Sequence, residues 1–99
     1  MPPYQIEFTD DAKIDLSYFT AFERKIIVSD IGQQLTHQPL VETRNRKRLY
    51  EHPIAQWELR TGKYRTFYEV SDQFVVVTVV SIGRKERNEL LIRGRKVEL

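Results

Sequence analysis

Apolar and polar residues alternate over residues 4–8, with Tyr4, Ile6 and Phe8 on one side and Gln5 and Glu7 on the other. A period of two marks a half-buried strand. The period then lengthens. Ala12, Leu16 and Phe19 recur at helical spacing. They follow Thr9, an N-cap candidate, and Asp10 and Asp11, whose carboxylates suit the positive end of a helix. A break near Thr20 and Ala21 opens a second helix, expected over residues 22–35, with an apolar stripe of Ile27, Val28, Ile31 and Leu35. Pro39 closes that segment, because proline disfavours helical geometry in the residue before it. The two helices are expected to form an antiparallel hairpin.

Residues 40–53 carry many charges and weak periodicity, so they read as a connection with residues 48–50 extended. Alternation then returns. Trp57 and Leu59 share a face opposite Gln56, Glu58 and Arg60, and Tyr64, Thr66, Tyr68 and Val70 share a face opposite Arg65, Phe67 and Glu69. A two-residue turn at Thr61-Gly62 keeps the apolar faces together, with Gly62 at positive φ. A one-residue slip would turn every side chain to the other face. This turn places Leu59 across from Tyr64, Trp57 across from Thr66, and Glu58 across from Arg65. Arg65 is then either the partner of Glu58 or a cation held for a ligand, and Glu58 is a conceivable base. Ser71-Asp72 supplies the next turn. Residues 74–82 are almost all apolar or β-branched, the pattern of a central strand covered on both faces. Leu90, Leu91 and Ile92 suit a short strand or a helical turn, Gly94 interrupts them, and Val97 and Leu99 suit a last extended piece.

The expected architecture is one α+β domain over residues 1–99. An N-terminal strand and a helical hairpin precede antiparallel strands, and the helices lie on one face of a single sheet. Composition narrows the function classes. The 99 residues contain no cysteine, so disulfides and thiolate metal sites are excluded. His37 and His52 stand apart without further ligands at suitable spacing, so no metal or other cofactor is expected. No apolar run reaches membrane-spanning length and no signal-peptide pattern opens the chain, so the expected location is the cytoplasm, without a membrane partner. The net charge is only +2, but the cations cluster. Arg44, Arg46, Lys47 and Arg48 form one group, Arg84, Lys85 and Arg87 a second, and Arg93, Arg95 and Lys96 a third. Any one cluster alone reads as a solvated surface. Together they favour a basic face and a nucleic-acid partner. Tyr64 and Tyr68, on the face of Trp57, read as core, and Tyr50 as packing, with stacking on a base as its alternative.

The stretch Trp57-Glu58-Leu59-Arg60 through Tyr64-Arg65-Thr66-Phe67-Tyr68, the valine-rich strand after it, and Ser81-Ile82-Gly83-Arg84-Lys85-Glu86-Arg87 resemble the RelE/ParE superfamily of bacterial type II toxins. The resemblance covers most of the chain. It implies a RelE-like fold and a toxin neutralised by a cognate antitoxin, reaching operator DNA only through the antitoxin complex. In the RelE branch it further implies a ribosome-dependent endoribonuclease acting on messenger RNA. Metal-free RNA cleavage uses the ribose 2′-hydroxyl as nucleophile, a base and an acid for the proton transfers, and cations for the phosphorane charge. The resemblance assigns Arg65, Lys85 and Arg87 to catalysis. Arg44, Arg46, Lys47, Arg48 and Arg84 are candidates for contacting RNA and the ribosome, contacts that weaken with salt. Positions that carry lysines in the RelE type hold Gln56 and Glu58, its tyrosine position holds Leu91, and no histidine follows Gly83. These departures favour two alternatives: a ParE-type toxin that inhibits DNA gyrase by binding, or a non-catalytic homologue that binds only its antitoxin.

Overall fold

The computed structural model describes residues 2–98. In chain order the elements are β1 (Gln5–Phe8), α1 (Asp10–Ser17), α2 (Ala21–Leu35), β2 (Arg46–Arg48), β3 (Trp57–Thr61), β4 (Tyr64–Ser71), β5 (Val76–Glu86), β6 (Glu89–Ile92) and β7 (Arg95–Lys96). The sheet runs β2-β3-β4-β5-β6-β7, with β1 parallel to β5. Both helices start where the chain supplies caps. Thr9 accepts from the Ala12 amide, and Thr20 closes a reciprocal capping box with Glu23. Each cap satisfies amides that lack a partner inside the helix.

The helices cover one sheet face. Ala12, Phe19, Ile27, Ile31 and Leu35 pack against Trp57, Leu59, Tyr68, Val77, Val79 and Ile82. The expected stripe holds except at Val28, which is exposed. The buried Tyr68 hydroxyl donates to the Pro39 carbonyl at 2.8 Å and ties the chain after α2 to the sheet. Burial pushes that phenol's pKa well up. A second, smaller core on the opposite face joins Phe67, Ala55 and Leu90 with Leu49, Ile54, Val80, Ile92 and Val97. His52 stacks on Phe67. The connection before β3 is therefore packed structure, and its extended piece is Arg46–Arg48 rather than residues 48–50. Leu99 lies outside the described residues. The final strand pair settles the C-terminal alternatives in favour of strand.

Three features differ from the periodicity reading. The β3–β4 turn is Gly62-Lys63, since Thr61 pairs with Tyr64. Only Gly62 of the two central residues has positive φ (57°), which suits a type II′ turn. The register moves by two residues, so the faces are kept but the partners change. Trp57 pairs with Tyr68, Leu59 with Thr66, Glu58 with Phe67 and Arg60 with Arg65. Glu58 and Arg65 are not opposite each other. The central strand also starts at Val76, leaving Phe74 exposed in the preceding turn, and it runs past Gly83 to Glu86.

The third feature is a β-bulge. Phe67 pairs with Ser81 but Tyr68 with Val79, so Val80 is an extra residue on β5. An extra residue reverses side-chain alternation beyond it. Val77 and Val79 face the helices before the bulge, and Ile82 does so after it. On its other edge β5 pairs with β1 through Val79 and with β6 from Arg84, so the bulge lies in a gap between two neighbours. Asp15, only 2% exposed, fills the gap. One carboxylate oxygen accepts from the Ile82 amide at 3.0 Å and the Ser81 hydroxyl at 2.9 Å, and the other accepts from Arg93 Nε at 2.5 Å. Thr9 accompanies it, donating from its amide to the Val79 carbonyl and from its hydroxyl to the Val80 carbonyl.

Asp15→Ala leaves the Ile82 amide and Ser81 hydroxyl without their acceptor. It is expected to lower stability by about 2–3 kcal/mol, read as a reduced urea midpoint. Thr66 has the opposite expectation. Its hydroxyl is buried with no partner. Thr66→Val removes that unmet group at nearly equal shape and is expected to raise stability by about 1 kcal/mol, measured by thermal unfolding.

Candidate functional site

Pairing and the bulge together decide which cations meet. On the face away from the helices, Lys47 of β2 is opposite Glu58 of β3, and Glu58 is opposite Phe67 of β4. The next row brings Arg60, Arg65 and Gly83 together across β3, β4 and β5. Lys85 is two residues beyond Gly83 on the same side, paired with Leu90 of the smaller core. In the two rows around Arg65 the only carboxylate is Glu58. A side chain at Gly83 would not fit: an added Cβ would sit 2.5 Å from the Leu91 carbonyl oxygen and 2.9 Å from Ile92 Cγ1. Glycine here lets β6 close over the sheet beside Arg65.

Arg65 has an unusual set of contacts. Its Nη1 donates to the carbonyls of Gly62 at 2.7 Å and Tyr64 at 3.0 Å, both in its own hairpin. Its Nε is buried without a partner among the described residues. Burial lowers the guanidinium pKa, Glu58 opposes that shift and Arg60 adds to it. The carboxylate nearest in the pattern is taken by Arg60, whose Nε lies 2.8 Å from Glu58 Oε1. Arginine keeps its charge throughout the accessible pH range, so the lowered pKa reports a desolvated cation and not a neutral one.

The remaining sequence candidates divide. Arg46 is buried, with Nε donating to the Val41 carbonyl and Nη1 to the Gln34 backbone and side-chain oxygens. It joins α2 to the sheet, and its fork is not free for a phosphate. Arg48 faces the helix side, its guanidinium 5.7 Å from the Tyr50 ring centre and 5.8 Å from that of Trp57. Tyr50 is highly exposed on this arginine. Arg84 lies over Phe19 at 5.0 Å and near Glu23 and Glu86, again on the helix side. Glu23 also accepts from the Tyr64 hydroxyl. Arg44 is exposed in the loop before β2. Leu91 pairs with Arg84 and so faces away from Arg65. Arg87 is at the tip of the β5–β6 hairpin with φ 51°, followed by Asn88 with φ 67°. That is the backbone of a type I′ turn, which favours glycine, asparagine or aspartate at both positions. An arginine there is strained, and such strain concentrates at functional sites.

Arg60 was not singled out by the sequence reading, although alternation put it on the same face as Glu58. The signal lay in the turn: glycine at the first of two central residues suits a type II′ hairpin, and that register sets Arg60 against Arg65.

Comparison with known proteins bears on the family and the fold. Residues 6–89 match the family model described as the ParE toxin of the type II toxin-antitoxin system parDE. The mRNA interferase toxin RelE of Escherichia coli strain K12 is 30% identical over 87 residues, spanning 76% of this chain and 90% of that protein. Among solved structures, the RelBE2 toxin-antitoxin complex of Mycobacterium tuberculosis contains a chain with TM-score 0.75 and 26% identity, covering 86% of this chain and 94% of its own length. The intact E. coli RelBE complex contains one with TM-score 0.62 and 27% identity, covering 85% and 99%. The strand signature, the two helices on one sheet face and these likenesses lead to one conclusion: the chain belongs to the ParE toxin family, within the RelE/ParE superfamily, and is a toxin of a type II toxin-antitoxin system.

Proposed function

We propose that this toxin is a ribosome-dependent endoribonuclease that cuts messenger RNA and is held inactive in the cytoplasm by a cognate antitoxin. The observation that carries this reading is the half-buried Arg65 guanidinium, set on one sheet face with Lys47, Arg60 and Lys85 and with one carboxylate in the surrounding rows. A cation partly withheld from water attracts an anion more strongly than a fully solvated one. Attack of a ribose 2′-hydroxyl on the adjacent phosphate adds negative charge to the phosphoryl oxygens, and preorganised cations stabilise that charge most where water is excluded. Arg65 supplies a planar fork, and Lys85 supplies a compact point charge that donates hydrogen bonds. Arg87, at the hairpin tip, extends the cationic track along the bound strand.

A second reading is favoured by a separate observation. Of the positions where the RelE type carries its proton-transfer groups, Gln56 has no charge, Glu58 is bound to Arg60, and Leu91 faces the other side of the sheet. A ParE-type toxin that inhibits DNA gyrase by contact needs none of these groups.

Induced synthesis of the wild-type chain is expected to arrest growth and leave messenger RNA cut on ribosomes, while Arg65→Ala relieves both effects. Arrest with intact transcripts and a blocked supercoiling reaction instead selects the gyrase reading. Arg87→Gly separates strain from function. It is expected to stabilise the isolated protein by about 1 kcal/mol by relieving the left-handed backbone, and to flatten the salt dependence of RNA binding by about 0.7 in log-log slope for the lost phosphate contact.

A further inference from the structure

The cross-strand pair Arg60 and Arg65 has no structural advantage of its own. The two residues are direct partners on adjacent antiparallel strands. At such positions Cβ atoms are about 4.5–5.5 Å apart, and like charges destabilise the sheet. An acid at either position would remove the repulsion. The acid nearby attracts Arg65 but makes no ion pair with it among the described residues. Glu58, two residues before Arg60 and on the same face, binds Arg60 Nε at 2.8 Å. The Glu58 side chain is 10% exposed and that of Arg60 48% exposed, so the buried carboxylate holds the inner edge of a guanidinium whose outer part meets solvent. The Arg60 backbone is itself fixed by a hydrogen bond from its amide to the Asn45 carbonyl. Arg65 is held by backbone carbonyls of its hairpin and has no carboxylate partner among the described residues. Two anchored arginines are therefore cross-strand partners on one face of β3 and β4, Arg60 held by Glu58 and Arg65 by the hairpin carbonyls, with one carboxylate beside the pair.

We propose that Arg60 is a phosphate-binding residue, positioned by Glu58, and that it forms with Arg65 a two-arginine clamp for a single phosphodiester. The proposal rests on the reading of this face as a phosphodiester site and adds to it a second cation and the residue that orients it. Each non-bridging oxygen of the phosphate takes hydrogen bonds from one guanidinium, and the bound anion cancels the repulsion between the two arginines. Glu58 is a positioning residue: it fixes the Arg60 fork and does not touch the phosphate.

The test uses the full-length chain and inorganic phosphate. Arginine side-chain Nε–Hε signals are followed by NMR during the titration. The expected result is that Arg60 and Arg65 signals shift along one saturating curve. Arg60→Gln and Arg65→Gln are each expected to weaken phosphate binding about ten-fold or more, the scale of a lost charge-assisted hydrogen bond. Arg60→Lys, which keeps the charge and loses the fork, is expected to weaken binding by less than Arg60→Gln. Its lysine stem also guards against a folding defect as the explanation. Glu58→Gln is expected to leave the Arg65 response in place and to broaden or split that of Arg60, a signature that a purely structural role would not produce. Phosphate affinity unchanged in Arg60→Gln, or Arg60 and Arg65 saturating at different phosphate concentrations, overturns the clamp. The titration requires neither ribosomes nor cleavage. A chain that cuts messenger RNA while Arg60→Gln binds phosphate normally sinks the clamp alone. A clamp that forms in a chain that does not cut RNA sinks the nuclease reading alone.

Discussion

The carboxylate of Asp15 holds the one place where the sheet changes its own alternation. Val80 is the extra residue, and the edge of β5 beside it has no strand neighbour between β1 and β6. Asp15 meets the amide and hydroxyl left there and draws Arg93 of the β6–β7 turn onto α1. Without the bulge, residues beyond it would exchange faces. Gly83 and Lys85 would then point toward the helices, and Ile82 and Arg84 toward Arg65. The place of Lys85 on the cationic face thus depends on a buried acid on the other side of the molecule, through the direction it imposes on β5.

The same strand serves two cores. Its helix side carries Val77, Val79 and Ile82, and its other side contributes Val80 to the cluster around Phe67 and Leu90. The smaller cluster matters for the site because it borders the cations directly: Phe67 lies in the row of Lys47 and Glu58, and Leu90 is the partner of Lys85. Gly83 lets β6 approach its backbone beside that cluster. Arg65 consequently sits at a boundary, near enough to packed side chains to lose water and near enough to the hairpin end to face a ligand.

Several costs fall in the same region. Arg65 leaves a buried Nε without an acceptor, Arg60 and Arg65 repel, and Arg87 occupies a left-handed turn position that disfavours it. Elsewhere caps begin both helices, Gly94 takes positive φ at a hairpin turn and the buried phenol of Tyr68 has a partner, but Glu51, Val75 and Arg93 also hold left-handed backbone and Thr66 a buried unpaired hydroxyl.

Element types, the order of strand, helix pair and antiparallel strands, and the apolar faces of β3 and β4 were set by local periodicity, since each is decided within a few residues of chain. The superfamily was legible for the same reason, in a continuous run around Trp57 and Arg65. Register was not. Moving β3 against β4 by two residues preserves every face, so apolar alternation is blind to the difference between Glu58 and Arg60 as the partner of Arg65. Nor was the sorting of the basic residues. Arg46, Lys47 and Arg48 look alike in sequence, yet pairing with Leu59 and Trp57 turns the arginines toward the helices and leaves Lys47 on the other face. The bulge that directs Lys85 depends on Asp15 and Ser81, which are 66 residues apart in the chain. Contacts at that separation exist only once the helix has docked on the sheet, and it is there that the place of Lys85 beside Arg65 was decided.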